Sequence, residues 1–397
     1  MTSPNTHEFV ILGGHFSGLS VAHYLLRHTI PLLSKLDSSI TYHVSIVTPN
    51  DHFFWKVGVP RAILGPDLIP LSNIFAPIAD GFKEYSPDRY TFVPGIAVGL
   101  EPEKKTVNVD LVSGGTRAIT YSTLIVATGT TSSTALWSVN GSHENSINAL
   151  KEMHKALPSA KTILIAGGGP AGTETCGEIA AHFPKAQVTH LSGSSRLLER
   201  LFPSISKDAE SRLTKMGVEV VHNVRVTGST KQQDGTTEVK LDNGSTRIVD
   251  IYIDSTGGKL NTTFLPQAWL NQRGQLLTDD KTLRPTAPGT EGVYAVGDAG
   301  SYSSGGIMDI KNSIAPLCST IAIDLAAKLS SNESAQPKQK EYKAWKDTQI
   351  VPIGPNGGVG QLFGWRIPSL MVWGIKGRTY MVDQLPGFVK GADFVKA

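Results

Sequence analysis

Twice in this chain a short apolar strand breaks into a glycine turn and runs directly into a helix, and no other feature constrains its folding as strongly. The first copy is Glu8 to Gly18, EFVILGGHFSG, in which Phe9 to Leu12 have the length and apolarity of a central parallel strand. Gly13 and Gly14 let the backbone turn sharply, and Gly18 removes a Cβ where the helix must press on the strand. The second copy is Thr162 to Gly172, TILIAGGGPAG, with a complete G-x-G-x-x-G at Gly167, Gly169 and Gly172. The amides and positive dipole end of a helix so placed form a pyrophosphate site. One such turn is weak evidence, but two, about 150 residues apart, imply two dinucleotide sites.

The first copy departs from the pattern at His15, where the second glycine is expected. Its imidazole must point away from the pyrophosphate or, if protonated, toward it. Phe16 and Ser17 complete the turn. The next strand, HVSIV at 43–47, ends at Thr48 rather than at a ribose-binding acid, and a hydroxyl binds a ribose more weakly than a carboxylate. In DHFFWKVGVPRAI, Phe53 and Phe54 read as core aromatics, whereas Lys56 and Arg61 are candidates for phosphate or flavin contacts. Residues 91–112 alternate as a small antiparallel meander, and TLIVATG returns to the parallel sheet, ending in Ala127, Thr128 and Gly129. The Ser/Thr/Asn/Gly-rich stretch 130–148 marks a domain crossing.

After the second turn, QVTHL at 187–191 ends at Ser192, again without an acid, and Ser194, Ser195 and Arg196 form a cluster of the type that accommodates a 2′-phosphate. A strand is expected at 216–224, a hairpin over 236–253 around Asn243-Gly244, and a small-residue crossing at 254–258. GVYAVGD then places Gly297 and Asp298 at the carboxyl end of a buried strand, where open α/β sheets present ligand contacts. A helix over about 313–329, a polar linker at 331–340 and a final module complete the chain.

Composition narrows the class. A hydrophobic fraction of 40% with 18% charged residues suits a soluble globular protein, and a net charge of +3 is too small to suggest a nucleic-acid surface, so no nucleic-acid partner is expected. The two cysteines, Cys176 and Cys318, form neither a disulfide framework nor a C-x-x-C centre. No metal site is expected. No apolar run reaches the roughly 18 residues of a membrane span, residues 1–8 do not read as a signal peptide, and Thr2 replaces the glycine that myristoylation requires. A cytoplasmic protein is expected, with room for peripheral membrane contact and for a homodimer.

Two glycine turns, Ala127-Thr128-Gly129 and Gly297-Asp298, in this order, resemble the two-dinucleotide-binding-domain flavoproteins related to glutathione reductase. Within that group VTPNDHFFWKVGVPRAI, FVPGIAVGL and GPNGGVGQLFGW are similar to the apoptosis-inducing-factor homologues of the ferroptosis-suppressor or AMID type, in a fungal variant. The resemblance covers nearly the whole chain. It implies an α/β fold with two Rossmann-like domains and a small C-terminal α+β module: FAD-binding parts at 1–135 and 257–330, an NAD(P)-binding domain at 136–256, and the module at 341–397. It further implies that residues 13–18 hold the FAD pyrophosphate, that Arg61 faces the cofactor, that Ala97 offers backbone atoms to the adenine, and that Asp298 bonds the ribityl or phosphate side. Gly167, Gly169, Gly172 and Glu174 then belong to the nicotinamide nucleotide, and Lys56 is the candidate partner for reduced flavin. The expected activity is hydride transfer from NAD(P)H through FAD to a quinone-like or other small organic acceptor. A flavoprotein of specialised metabolism with a reduced role for NAD(P)H is the second reading, and a non-enzymatic signalling flavoprotein the third.

Overall fold

The structure, a computed structural model, describes residues 5–139, 141–329, 337–345 and 348–396. Thr2 and most of the 331–340 linker, on which two of the expectations above fall, lie outside the described residues. Eleven strands matter here: Thr6–Leu12 (β1), Thr41–Thr48 (β2), Tyr90–Glu101 (β3), Thr106–Leu111 (β4), Thr116–Thr120 (β5), Thr123–Val126 (β6), Thr162–Ala166 (β7), Gln187–Ser192 (β8), Glu219–His222 (β9), Ile251–Asp254 (β10) and Val293–Ala295 (β11). Three helices accompany them: Phe16–Tyr24 (α1), Pro170–His182 (α2) and Ile307–Leu329 (α3).

Seven strands form one sheet in the order β11-β6-β1-β2-β3-β4-β5, and four form a second in the order β9-β8-β7-β10. In the first, β1 lies parallel between β2 and β6, with Phe9 opposite Val44 and Thr123. The expected meander is the antiparallel run β3-β4-β5. Strand β1 is apolar without alternation because both of its faces are covered: Phe9 and Ile11 pack with Phe16, Leu19 and Leu317 of the helices, while Val10 and Leu12 pack with Val107 and Val109 of the meander. The second sheet repeats this plan. Ile163 and Ile165 of β7 join Cys176 and Ile179 of α2, and Leu164 meets Val239 and Leu241 from a three-stranded antiparallel sheet.

That antiparallel sheet corrects the expected hairpin. Thr237–Leu241 pairs with Thr246–Val249 around Gly244, whose φ of +82° suits the turn, but Val226–Lys231 adds a third strand and residues 251–253 leave to pair with β7. Asp250 makes the break, its carboxylate accepting from the amides of Lys161 and Thr162 at 2.7 and 2.8 Å. The two crossings between the sheets are zipped together, Thr130–Ser132 antiparallel to Gly258–Leu260.

The last module begins with the antiparallel strands Gln349–Pro352, Gly358–Leu362 and Trp365–Arg366 and ends in short helices. It presses on α2 so closely that a Cβ at Gly177 would lie 2.7 Å from the Gly354 nitrogen. It also grips the first unit, at Trp55 and at His23 of α1. The Trp55 indole donates to the Tyr380 carbonyl at 3.0 Å, and His23, fully buried, donates from Nε2 to the Val389 carbonyl at 2.8 Å while its Nδ1 accepts from the Tyr85 hydroxyl at 2.7 Å. Burial holds that imidazole neutral, with its pKa lowered to about 4. Among the described residues no helix is long and apolar enough to cross a membrane.

Candidate functional site

Both glycine turns sit at the carboxyl ends of their parallel strands, and the same steric rule builds each. Gly13 has φ +116° and Gly167 φ +117°, and a Cβ at either would strike a neighbouring carbonyl oxygen, that of Ala127 at 2.3 Å or of Ser255 at 2.4 Å. A Cβ at Gly18 would lie 1.8 Å from the Gly13 oxygen, and one at Gly172 would lie 2.1 Å from the Gly167 oxygen. Gly14 and Gly168 face the ends of the second strands, where a Cβ would come within 2.7 Å of Thr48 and 2.5 Å of Ser192. Helices α1 and α2 both start with no side-chain cap and no acid in the first turn. Their amide ends are therefore free to receive an anion.

The first turn opens on a cavity of about 540 Å³. Residues 13–17, Thr48, Ala97 and residues 127–129 line it, as do Lys56 and Asp298. Gly18 lies behind the turn, and Gly297, with φ +68°, packs on Ser17, whose Oγ would meet an added Cβ at 2.2 Å. His15 takes the first of its two alternatives. Its ring stacks on Phe53 at 4.4 Å and 6°, its Nε2 donates to the Phe54 carbonyl at 2.9 Å, and burial, helped by the Lys56 charge, lowers its pKa to about 3. A neutral ring fixed to the 53–54 strand leaves the turn's amides to the ligand. The equivalent position of the second turn, Gly169, faces open space.

Lys56 and Asp298 bring opposite charges into this cavity. Burial lowers the Lys56 pKa and the Asp298 carboxylate opposes that shift, yet the ammonium has no hydrogen bond or ion pair among the described residues. Among the described residues the Asp298 carboxylate receives only a long contact from the Thr130 hydroxyl, at 3.5 Å. Two under-satisfied charges in a walled cavity fit a large polar ligand such as FAD. Replacing Asp298 with Ala is expected to weaken flavin retention about tenfold to a hundredfold, the value of about 1.5–3 kcal/mol for a charged hydrogen bond. Flavin occupancy after dialysis reads this directly, and unchanged occupancy would remove Asp298 from the ligand set.

Several lining residues escaped the sequence reading. Asn261 is locked to Thr128 by two bonds, its Nδ2 donating to the Thr128 carbonyl at 3.0 Å and its own carbonyl accepting from Thr128 Oγ1 at 2.7 Å. Trp137 and Phe264 add apolar wall, and Trp137 is fixed by its indole donating to the Asp254 carbonyl at 2.7 Å. Their one sequence signal was nearness to the small-residue crossings.

Arg61 does not line the cavity. Its guanidinium grips Glu178 through Nε and NH2 at 2.9 and 2.8 Å, donates to the Gly377 and Arg378 carbonyls at 2.7 and 3.0 Å, and lies over the Tyr380 ring. It ties the first unit to α2 and to the last module. Glu174 is likewise turned away from the second turn's cavity: fully enclosed, it pairs with Lys376, and burial raises its pKa to about 7 against the pull of that lysine.

The second cavity, about 220 Å³, is lined by Gly168, Gly169, Ser192, Ser194, Arg196 and Arg200, among others. Arg196 is among these lining residues. Its guanidinium is committed to the loop, donating to the carbonyls of Leu201 and Glu199 at 2.9 and 2.5 Å. His190, beneath this turn, donates from Nε2 to the Gly167 carbonyl at 3.0 Å and is held neutral by burial, its pKa lowered to about 4.

Two sheets with parallel strands at their centres, each carrying a glycine turn with an uncapped helix behind it and joined by paired crossings, form the two-unit architecture expected of a protein with two dinucleotide sites. The chain belongs to the pyridine nucleotide-disulphide oxidoreductase family, whose profile matches residues 7–315. It is 32% identical to oxidoreductase phnG of Penicillium herquei, over 100% of this chain and 99% of that one. It is 25% identical to human ferroptosis suppressor protein 1, over 94% and 93% of the two chains. The fold is shared with the sulfide:quinone oxidoreductase of Aquifex aeolicus, at TM-score 0.70 and 13% identity over 98% and 93%. The protein is an FAD-dependent NAD(P)H oxidoreductase, and its likeness to the ferroptosis suppressors is a distant one.

Proposed function

We propose that this protein takes hydride from NAD(P)H held at the second turn and delivers electrons, by way of FAD held at the first, to a quinone-like or other small organic acceptor. The observation that carries this reading is the pair of uncapped turns combined with an unpartnered Lys56 in the larger cavity. FAD supplies the two-electron relay when bound. The chain's own part is placement: the first turn holds the pyrophosphate, Asp298 and Thr130 accept or donate to hydroxyls, and Lys56 stabilises negative charge where it stands. Phe54, Trp137 and Phe264 keep water from that wall.

The cysteines support an organic acceptor over a dithiol one. Cys176 and Cys318 are buried in α2 and α3, line neither cavity, and have thiols pushed well up by burial, so no dithiol stands ready to take electrons. For an apolar acceptor, the expected membrane contact would fall on the last module, where Trp365 and Leu370 are about three-quarters exposed beside Phe363 and Met371. Anaerobic rapid mixing of the holoenzyme with NADH or NADPH, followed by a soluble benzoquinone, tests the proposal. Flavin absorbance is expected to bleach on the first addition and return on the second. Flavin that stays oxidised would favour the specialised-metabolism reading, and flavin that bleaches but is not reoxidised would exclude the quinone alone.

A further inference from the structure

Beside the nucleotide cavity, and outside its lining, lies an arginine that no motif announces, and its interpretation rests on the NAD(P)H reading above. We propose that Arg225 recognises the 2′-phosphate of NADPH. In this fold the adenine ribose lies at the end of the second strand, which here is Ser192. Residues 223–225, which follow β9, are laced to that strand end: the Val224 amide donates to the Ser192 carbonyl and the Asn223 amide to the Ser194 carbonyl, both at 3.1 Å. The Arg225 backbone is then fixed by its amide donating to Asp242 Oδ1 at 3.0 Å.

From that anchor the Arg225 side chain lies across Gly193, which lines the cavity. A Cβ at 193 would stand 2.9 Å from Arg225 Cγ and 3.0 Å from Nε, so the arginine can lie there only because residue 193 is glycine. Its guanidinium makes no hydrogen bond or ion pair among the described residues, in contrast to the committed Arg196. Ser192 contributes no charge that would repel a phosphate, and its hydroxyl is spent on the carbonyls of Ser194 and Arg196. Glu199 is the one carboxylate lining this cavity, and it is exposed beside Arg200. A free, planar guanidinium on a side chain that lies against Gly193, next to the end of the second strand, has the fork to bind a phosphate through two parallel bonds.

The test is calorimetric titration of the FAD-loaded protein with 2′,5′-ADP and with 5′-AMP, which differ only in the 2′-phosphate. In Arg225→Ala the affinity for 2′,5′-ADP should fall about tenfold or more while that for 5′-AMP stays within about twofold. Arg225→Lys should recover part of the loss, since it returns the charge without the fork. Arg225 is exposed, so both variants should match the parent in thermal unfolding. Equal weakening of both ligands would make the arginine an adenine-stacking residue and overturn the proposal, as would no weakening of either. A parent protein that binds neither ligand would overturn the nucleotide reading itself.

Discussion

Gly18→Ala should give a protein that no longer retains FAD, whereas Gly172→Ala should keep its flavin and lose its reduction by NAD(P)H. The reason is the same close approach in both units. The added methyl would sit 1.8 Å from the Gly13 oxygen in one and 2.1 Å from the Gly167 oxygen in the other. Both obstacles are backbone atoms, and neither can swing aside as the tip of a side chain would. The helix must lift from its strand, carrying its amide end away from the phosphate, at about 1–3 kcal/mol or more for overpacking of this kind. Flavin content after gel filtration and anaerobic flavin bleaching separate the two variants. Full flavin retention in Gly18→Ala would mean that α1 has slack at this contact.

Glu178→Ala is expected to destabilise the fold by about 3–5 kcal/mol, because it strands the buried Arg61 guanidinium without its counter-ion. Arg61 is 8% exposed and Glu178 is fully buried, so water cannot replace the lost carboxylate. The double variant Arg61→Met with Glu178→Leu should be markedly more stable than the single one, since it removes both charges and keeps apolar volume. Urea unfolding of the three proteins checks this ordering. A single-variant loss below about 1 kcal/mol, the scale of an exposed pair, would show that solvent reaches the bridge. Flavin retention by the folded double variant should equal that of the parent, because Arg61 does not line the flavin cavity.

The contrast between these glycines and that arginine explains what was legible in the sequence. A glycine turn is legible because strand, turn and helix lie within eleven residues, and Gly18 and Gly172 are each fixed by a carbonyl of their own motif, those of Gly13 and Gly167. Asp298 was legible for a related reason, since the end of a buried parallel strand can point only into the ligand crevice. Arg61 and Glu174 were misread because their partners come from far away. Glu178 is 117 positions from Arg61, and Lys376 is 202 positions from Glu174. No periodicity in the first part of the chain shows that a last module will lay carbonyls and an ammonium over these side chains. Arg196 fails on a smaller scale. Its cluster has the right residue types, but the loop closes back so that its own carbonyls at 199 and 201 take the guanidinium. Arg225 went unnoticed because only the pairing of residues 223–225 with the end of β8 brings it to Gly193.

The strand order also has a meaning in time. Strand β6 is bordered on one side by β1, already made, and on the other by β11, which the ribosome reaches only after the whole second sheet has been synthesised. The second sheet is complete once residue 254 has emerged, so it can close while the first still shows an open edge of Leu124, Ile125 and Val126. For that interval the nascent chain carries a finished nucleotide unit beside an apolar strand with unpaired backbone, the kind of edge that recruits other chains. Arrival of Val293–Ala295 closes that edge and, with Asp298 directly behind, brings a carboxylate to the wall of the larger cavity in the same step.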